Sequence, residues 1–215
     1  HPDKDGNAID LGGRSVTEWC DSLQDALALV YELLPGWASE LPHALRRIIP
    51  VGYEPERHLS ASYREAPGLI YMTLHPSQLT LAEALIHECQ HGKINALSFL
   101  DPVLENAFTE WSPSPVRPDL RPLWGVLLAV HAFAPVSVLH ARLVEQAHPL
   151  SREPEFARRR ADVLRGNLHA LEILKEKARP TPLGRRLLKE LSTLLHDLCE
   201  RHPDPLTEEK LLPPS

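Results

Sequence analysis

The residues with the clearest potential for chemistry are His87, Glu88 and His91, which form the pattern His-Glu-x-x-His. Residues four positions apart on an α-helix project from the same face, so both imidazoles can reach a single metal ion. Glu88 projects about 100° around the helix axis from His87, where it can contact a metal-bound water without being the natural third ligand. The pattern therefore predicts a single-metal site. The alternative is a pair of ordinary histidines that are hydrogen-bonded along a helix.

A helix over residues 80–97 is expected to carry this motif. Thr80 is followed three residues later by Glu83, which is the spacing of a capping box at a helix N-terminus. The helix is rich in apolar residues, so its polar side chains need partners, because unpaired buried polar groups are costly. Cys89 lies between the two histidines in sequence but faces another side of the helix, and we interpret it as a packing residue.

A catalytic metal ion needs a third protein ligand and an open position for water or substrate. Glu105 and Glu110 are carboxylate candidates, but both lie in or beside a proline-rich loop, which is a poor platform for a ligand. His131 is the better candidate because it lies in an apolar helical segment. A lone histidine in such a helix is alternatively a core residue whose hydrogen bonds are satisfied, and both interpretations stay open.

Composition and charge exclude several classes of function. The net charge is −6, with 23 basic residues scattered among 29 acidic ones, so nucleic acid is not an expected partner. The three cysteines are too few and too dispersed for a disulfide framework, and we expect a reducing, cytoplasmic location. No apolar run approaches the roughly 20 residues that span a bilayer, so no membrane association is expected.

Several stretches of the chain resemble a known bacterial family, the His-Glu-x-x-His peptide-modification proteins encoded beside ribosomally made precursor peptides. The motif itself is shared with many metalloproteases, whereas its extension HGKINAL and the element VRPDLRPL are more distinctive. Phenylalanine is more usual where this chain has Cys89. The matching stretches are LSAS (59–62), LAEALIHECQHGKINAL (81–97), VRPDLRPL (116–123), HAF (131–133) and PLGRR (182–186).

The resemblance implies an Fe(II)- and 2-oxoglutarate-dependent dioxygenase, an oxidoreductase that hydroxylates the β-carbon of a residue in a precursor peptide. In that interpretation His87, His91 and His131 hold the iron, and Glu88 orients a ligand or water. An oxygenase of this kind also needs a cation for the distal carboxylate of 2-oxoglutarate, and the bidentate fork of arginine suits this role.

Two arginines and two serines complete the set of site residues that this interpretation suggests. Arg121 is the first choice for binding 2-oxoglutarate and Arg117 the second, although both are alternatively braces of the loop. Ser60 and Ser62 precede the helix on an expected strand, where they are candidates for binding the peptide substrate or the cosubstrate.

Two other functions remain open from the sequence. A zinc metallopeptidase would use the same histidines, with Glu88 as the general base on a zinc-bound water. A non-catalytic module that binds a peptide in the same groove would need no metal at all. The motif alone does not distinguish iron from zinc, and the oligomeric state is not predicted.

We expect an α+β fold that is mainly helical, with a small sheet ahead of a zincin-like active helix and a C-terminal helical bundle. A single domain is expected over residues 1–202, followed by a flexible tail at 203–215. Its parts are N-terminal helices and a small sheet (15–75), the active helix (80–97), a proline-rich loop (101–121) and C-terminal helices (122–202). The individual helices are predicted at 15–34, 39–46, 123–146, 155–178 and 183–201, and the strands at 48–51, 59–63 and 68–74.

Overall fold

The structure is a computed structural model that describes residues 8–114 and 117–202, without the side chains of residues 114, 117 and 118. The fold class is α+β and mainly helical, as predicted. The chain forms two compact units, His1–Ala96 and Leu97–Ser215. The expectation of one domain over residues 1–202 stays a prediction, and the tail predicted at 203–215 lies outside the described residues.

The first unit contains three helices, three strands and most of the helix that carries the motif. Helix α1 begins at a capping box in which Ser15 and Glu18 bond to each other's backbone N–H groups. The elements are α1 (Val16–Leu33), α2 (Pro35–Ala38), α3 (Leu41–Ala44), β1 (Arg47–Tyr53), β2 (Ser60–Ser62), β3 (Leu69–Leu74) and α4 (Gln78–Leu97).

The three predicted strands form one sheet in the order β1-β3-β2. β1 runs parallel to β3, and β2 runs antiparallel to β3. The central strand β3 is the most buried of the three, with Ile70 and Met72 no more than 2% exposed. β2 is short and half-buried, and the alternation of a strand directs the side chains of Ser60 and Ser62 to the same side.

The prediction of one helix over 39–46 is wrong in its bounds. The structure has two single-turn helices instead, α2 and α3, and each has a proline in its first turn. Proline is well tolerated there because its missing N–H has no partner in a first turn, whereas inside a helix it disrupts the hydrogen-bond ladder. Pro42 therefore lies in the first turn of α3 and not within a longer helix.

The start of α4 also differs from the prediction. The helix begins at Gln78, and the N–H of Thr80 donates to Ser77 Oγ at 3.2 Å, so Ser77 and not Thr80 provides the cap. The capping box predicted from Thr80 and Glu83 is wrong. Glu83 is instead an interior residue of the helix with only 5% of its surface exposed.

The second unit contains a hairpin where a proline-rich loop was predicted. Its two strands pair antiparallel, with Trp111 opposite Pro122 and Ser112 opposite Arg121. Prolines fit a two-stranded ribbon because half of the N–H groups of each strand point away from its partner. The elements of this unit are β4 (Trp111–Ser114), β5 (Arg117–Pro122), α5 (Leu123–Glu145), a 3-10 turn (Pro149–Arg152), α6 (Phe156–Lys177) and α7 (Pro182–Arg201).

The three long helices of this unit confirm the predicted C-terminal helices to within one residue at each end. Within the described residues, α5 is the one helix that is long and apolar enough to cross a membrane, with a mean hydropathy of 1.7. This corrects the expectation that no apolar segment approaches the length needed to span a bilayer. Because 61% of its apolar window is buried inside the protein, α5 has the pattern of a core helix.

The segment after α4 is tied to the connection between α6 and α7 by a dense set of hydrogen bonds. Asp101 Oδ1 accepts from Thr181 Oγ1 at 2.7 Å and from the N–H of Val103 at 2.6 Å. Val103 has a left-handed backbone with φ of 63°, which is uncommon for a β-branched residue. Its carbonyl oxygen accepts from the N–H of Thr181 at 3.0 Å and lies against Gly184, which has no side chain to obstruct it.

Gly184→Ala should lower the free energy of unfolding by at least about 2 kcal/mol, because the added Cβ would overlap the carbonyl oxygen of Val103. Denaturant unfolding followed by circular dichroism measures this change. Gly92→Ala is the matched control, since a Cβ there meets no atom within 4 Å and should leave stability unchanged or raise it. Equal stability of Gly184→Ala and the wild type would contradict the assigned packing.

Candidate metal centre

His87 and His91 lie side by side on α4, one turn apart. Their ring centroids are 4.2 Å apart and the ring planes meet at 78°. The Nδ1 atoms of both rings are buried. The helix is buried around most of its circumference, so the two rings are confined by packing. The motif is therefore placed as the spacing predicts, with both imidazoles on one face.

The carboxylate of Glu88 is held by the two serines of β2. Ser60 Oγ donates to Glu88 Oε1 at 2.7 Å, and Ser62 Oγ donates to Oε2 at 2.6 Å. Glu88 is only 4% exposed, so these hydroxyls supply hydrogen bonds that water would otherwise provide. Ser60 and Ser62 were predicted to bind substrate or cosubstrate, and the structure gives both hydroxyls a partner within the protein. Their contact with a substrate stays a prediction.

Two further polar residues of α4, Glu83 and Gln90, are buried, and neither was predicted as a site residue. Glu83 lies four residues before His87 and so projects from the same helix face. Gln90 is 5% exposed, and its Oε1 accepts from Trp37 Nε1 at 3.0 Å. The capping-box interpretation concealed Glu83, because it assigned that carboxylate to the helix terminus.

His58 is a site residue that sequence reasoning missed. Its Nδ1 lies 3.3 Å from Thr73 Oγ1, while its Nε2 is buried without a hydrogen-bond partner among the described residues. Burial, and then the nearby His75, lower the pKa of His58 to about 4, although the charges of Glu88 and Glu83 act in the opposite direction. His58 is therefore neutral at physiological pH. The alternation His58-x-Ser60-x-Ser62 is the signal that could have identified it.

Cys89 has the environment of a packing residue, as predicted. Its side chain is 1% exposed. Burial raises the pKa of the Cys89 thiol to about 12, and the charge of Glu88 adds to this effect. Cys89 is therefore a protonated thiol and not a thiolate at physiological pH.

The remaining predicted site residues belong to the second unit. His131 is half-buried on α5. Arg121 pairs with Ser112 in the hairpin, and its aliphatic stem lies against Gly125 at the start of α5. Its Nε is 2.8 Å from Asp119 Oδ2, but the N–H is not directed at that oxygen, so the contact is an ion pair without a hydrogen bond. The side chain of Arg117 lies outside the described residues.

Two of the three predicted metal ligands, His87 and His91, are brought together by the structure. Among residues 8–114 and 117–202, no three His, Cys, Asp or Glu side chains are grouped so that they could hold a metal ion. His131 as the third ligand stays a prediction. The roles of Arg121 and Arg117 in binding 2-oxoglutarate also stay predictions, and the ion pair with Asp119 is compatible with the alternative that Arg121 braces the hairpin.

Replacing His58 with Gln should flatten the dependence of stability on pH in the acid range. The pKa of His58 is about 4 in the folded chain against 6.5 for an ordinary histidine, so between these values the unfolded chain binds more protons. The free energy of unfolding should therefore fall as the pH drops from about 6.5 to about 4, with His58 contributing up to about 3 kcal/mol.

Denaturant unfolding at several pH values between about 4 and 7 measures this slope. His43→Gln, at an exposed position of the same unit, is the control and should keep the wild-type slope. Identical slopes for His58→Gln and the wild type would show that His58 is not held neutral by the fold.

The sequence was compared with models of known protein families and with curated proteins, and neither comparison finds a match. The family resemblance of the segments around His87 and Arg121 therefore stays an expectation.

Proposed function

We propose that this protein is an Fe(II)- and 2-oxoglutarate-dependent oxygenase that hydroxylates a β-carbon in a ribosomally made precursor peptide, in the cytoplasm. The observation that carries the proposal is the hydrogen bonding of the Glu88 carboxylate, which lies beside the paired imidazoles of His87 and His91. Both oxygens of its carboxylate already accept a hydrogen bond from a serine hydroxyl. This arrangement suits a residue that positions its neighbours better than one that takes a proton from water.

The paired imidazoles fit a ferrous ion. Histidine nitrogen is an ordinary ligand for Fe(II), and the ring separation of 4.2 Å places two such donors next to each other. His131 would supply the third ligand in this proposal. With 2-oxoglutarate and O₂, an iron site held by these residues would supply insertion of one oxygen atom into a C–H bond, while the oxo acid would be converted to succinate and CO₂.

The competing function is a zinc metallopeptidase, and the surroundings of Glu88 argue against it. A general base must turn a carboxylate oxygen towards the water it deprotonates, within hydrogen-bond reach. In this chain the hydroxyls of Ser60 and Ser62 approach both oxygens at 2.6–2.7 Å and restrain the orientation of the carboxylate. Burial of Glu88 limits further access of water to it. These contacts support a positioning role for Glu88.

Arg121 is the residue that we propose for the distal carboxylate of 2-oxoglutarate. Its side chain is 31% exposed, and its partner Asp119 is 54% exposed, so their ion pair is partly solvated. An ion pair of this kind contributes no more than about 1 kcal/mol. Exchange of Asp119 for a cosubstrate carboxylate is therefore energetically accessible. Arg117, four residues earlier, is the second choice.

The reaction should be visible as a change in mass. Anaerobically purified protein would be incubated with Fe(II), 2-oxoglutarate, O₂ and the precursor peptide encoded beside its gene. We expect a gain of one oxygen atom (about 16 Da) on the peptide and one succinate per oxygen added. His87→Ala and His91→Ala should lose both bound iron and activity, whereas His43→Ala, at an exposed position, should retain them.

Two other results would overturn this assignment. Cleavage of the peptide into fragments by the zinc-loaded protein would identify a metallopeptidase. A purified protein without stoichiometric metal, in which His87→Ala leaves peptide binding unchanged, would identify a non-catalytic binding module.

Glu88→Gln should separate the two enzymatic functions. A glutamine can accept a hydrogen bond from one serine through its oxygen and donate to the other through its amide, so the contact with β2 is largely preserved. A hydroxylase should therefore keep measurable turnover, with a loss of less than about 100-fold, whereas loss of a general base costs about 100- to 10,000-fold. Glu88→Ala is the comparison, because it removes the acceptor for both hydroxyls. Complete loss of activity in Glu88→Gln at unchanged iron content would contradict the positioning role.

A further inference from the structure

Strand β2 is an edge strand with one side free. The sheet order β1-β3-β2 leaves β2 paired with β3 alone, and no other strand in the described part of the chain pairs with it. Ser60, Ala61 and Ser62 are each half-buried, and Leu59 just before them is 44% exposed. An edge of this kind presents backbone N–H and C=O groups that can pair with another chain.

The pairing register identifies which backbone groups face the free side. The N–H of Thr73 donates to the carbonyl oxygen of Leu59 at 2.9 Å, and Ala61 lies opposite Tyr71. Antiparallel pairs alternate between hydrogen-bonded and non-hydrogen-bonded residues, so the backbone groups of Leu59 and Ala61 face β3. Those of Ser60 and Ser62 then face away from β3. Within residues 8–114 and 117–202, no backbone hydrogen bond outside the sheet involves either serine.

We propose that the free edge of β2 binds an extended polypeptide segment as an additional strand, and that this segment belongs to the peptide substrate. The identification of the segment as substrate rests on the proposed function, whereas the binding itself does not. Ser60 and Ser62, two residues apart, each present one N–H and one C=O group at this edge. This spacing matches the hydrogen-bonding groups along one side of an extended peptide backbone.

The size of the edge favours a peptide over a second copy of this chain. β2 is only three residues long. Its four outward-facing backbone groups are enough to hold a short peptide, but a stable dimer needs roughly 1,000 Å² or more of buried surface. A bound peptide strand gains its affinity from these main-chain bonds and its specificity from side chains that alternate between the two faces.

A strand bound at this edge would lie beside the candidate metal centre. The serines whose backbone faces the free edge are the same two whose hydroxyls hold Glu88, the neighbour of His87 in sequence. The side chains of Ser60 and Ser62 point towards α4, so every second side chain of an added strand would point to the same side. The edge therefore aligns a peptide with the helix that carries the paired imidazoles.

The test uses the full chain without iron or 2-oxoglutarate, so that binding is measured independently of catalysis. A dodecapeptide selected by display from a random library on the immobilised protein is the probe. Versions of it with one N-methylated backbone amide at a time are then compared by fluorescence anisotropy. We expect N-methylation at alternate positions of a short central stretch to weaken binding by at least about fivefold, and at the intervening positions to have little effect.

The corresponding change in the protein is Ser62→Pro compared with Ser62→Ala. Both variants lose the hydroxyl, but only the proline also loses the outward-facing N–H, at a position where an edge strand tolerates proline. Ser62→Pro should bind the dodecapeptide at least about fivefold more weakly than Ser62→Ala. Hydrogen exchange at the amides of Ser60 and Ser62 in the wild-type chain should be slowed by the peptide, which keeps the proposal testable if the proline variant does not fold.

Several results would overturn the proposal. These are failure to select a binding peptide, an N-methylation profile without alternation, and unchanged exchange at both serine amides. Protection of those amides before peptide is added would mean that another part of the chain or a second copy already covers the edge. A chain that binds the peptide at β2 but adds no oxygen to any substrate would refute the hydroxylase assignment alone.

Discussion

The contact between the Glu88 carboxylate and the hydroxyls of Ser60 and Ser62 is the interaction on which the candidate site depends. A charged group that is 4% exposed is stable only if hydrogen bonds replace those it loses to water. The two hydroxyls supply them from a single short strand. Because Glu88 lies next to His87, the same contact fixes the rotation of α4 relative to β2 and with it the direction of the paired imidazoles.

The burial of α4 explains why so many polar side chains accompany the motif. A helix that is buried on most sides has little surface left for solvated residues, so each polar side chain on it must find a partner within the protein. Gln90 accepts a hydrogen bond from Trp37, and Glu88 accepts hydrogen bonds from the two serines of β2. The buried polar side chains of α4 are therefore tied to other elements, Gln90 to α2 and Glu88 to β2.

The elements of the fold that local patterns determine were predicted well. The long helices follow from apolar periodicity, and β1 and β3 follow from runs rich in apolar and β-branched residues beside proline and glycine. The hairpin of β4 and β5 was not predicted, because prolines argue against a strand unless the N–H they lack would face away from its partner. Only the pairing itself, with Pro113 opposite Leu120, reveals that geometry.

The candidate site was predictable only in part. The spacing of His87 and His91 determines that their rings share a helix face, and this needs no tertiary information. The serine contacts with Glu88 join residues 26 and 28 positions apart, and no local pattern encodes a contact across that distance. His58 acquires its altered pKa from burial and from neighbours on other elements, so it too is visible only in the folded chain.

The protonated state of Cys89 determines how reactive its sulfur is. Thiolates bind zinc and cuprous ions strongly, and they are the form of cysteine that oxidants attack. Cys89 lies between His87 and His91 in sequence, but it is a buried thiol with a pKa of about 12, so it presents no thiolate to oxidants in solution. The face of α4 that carries the two neighbouring imidazoles therefore has no reactive thiolate beside it in sequence.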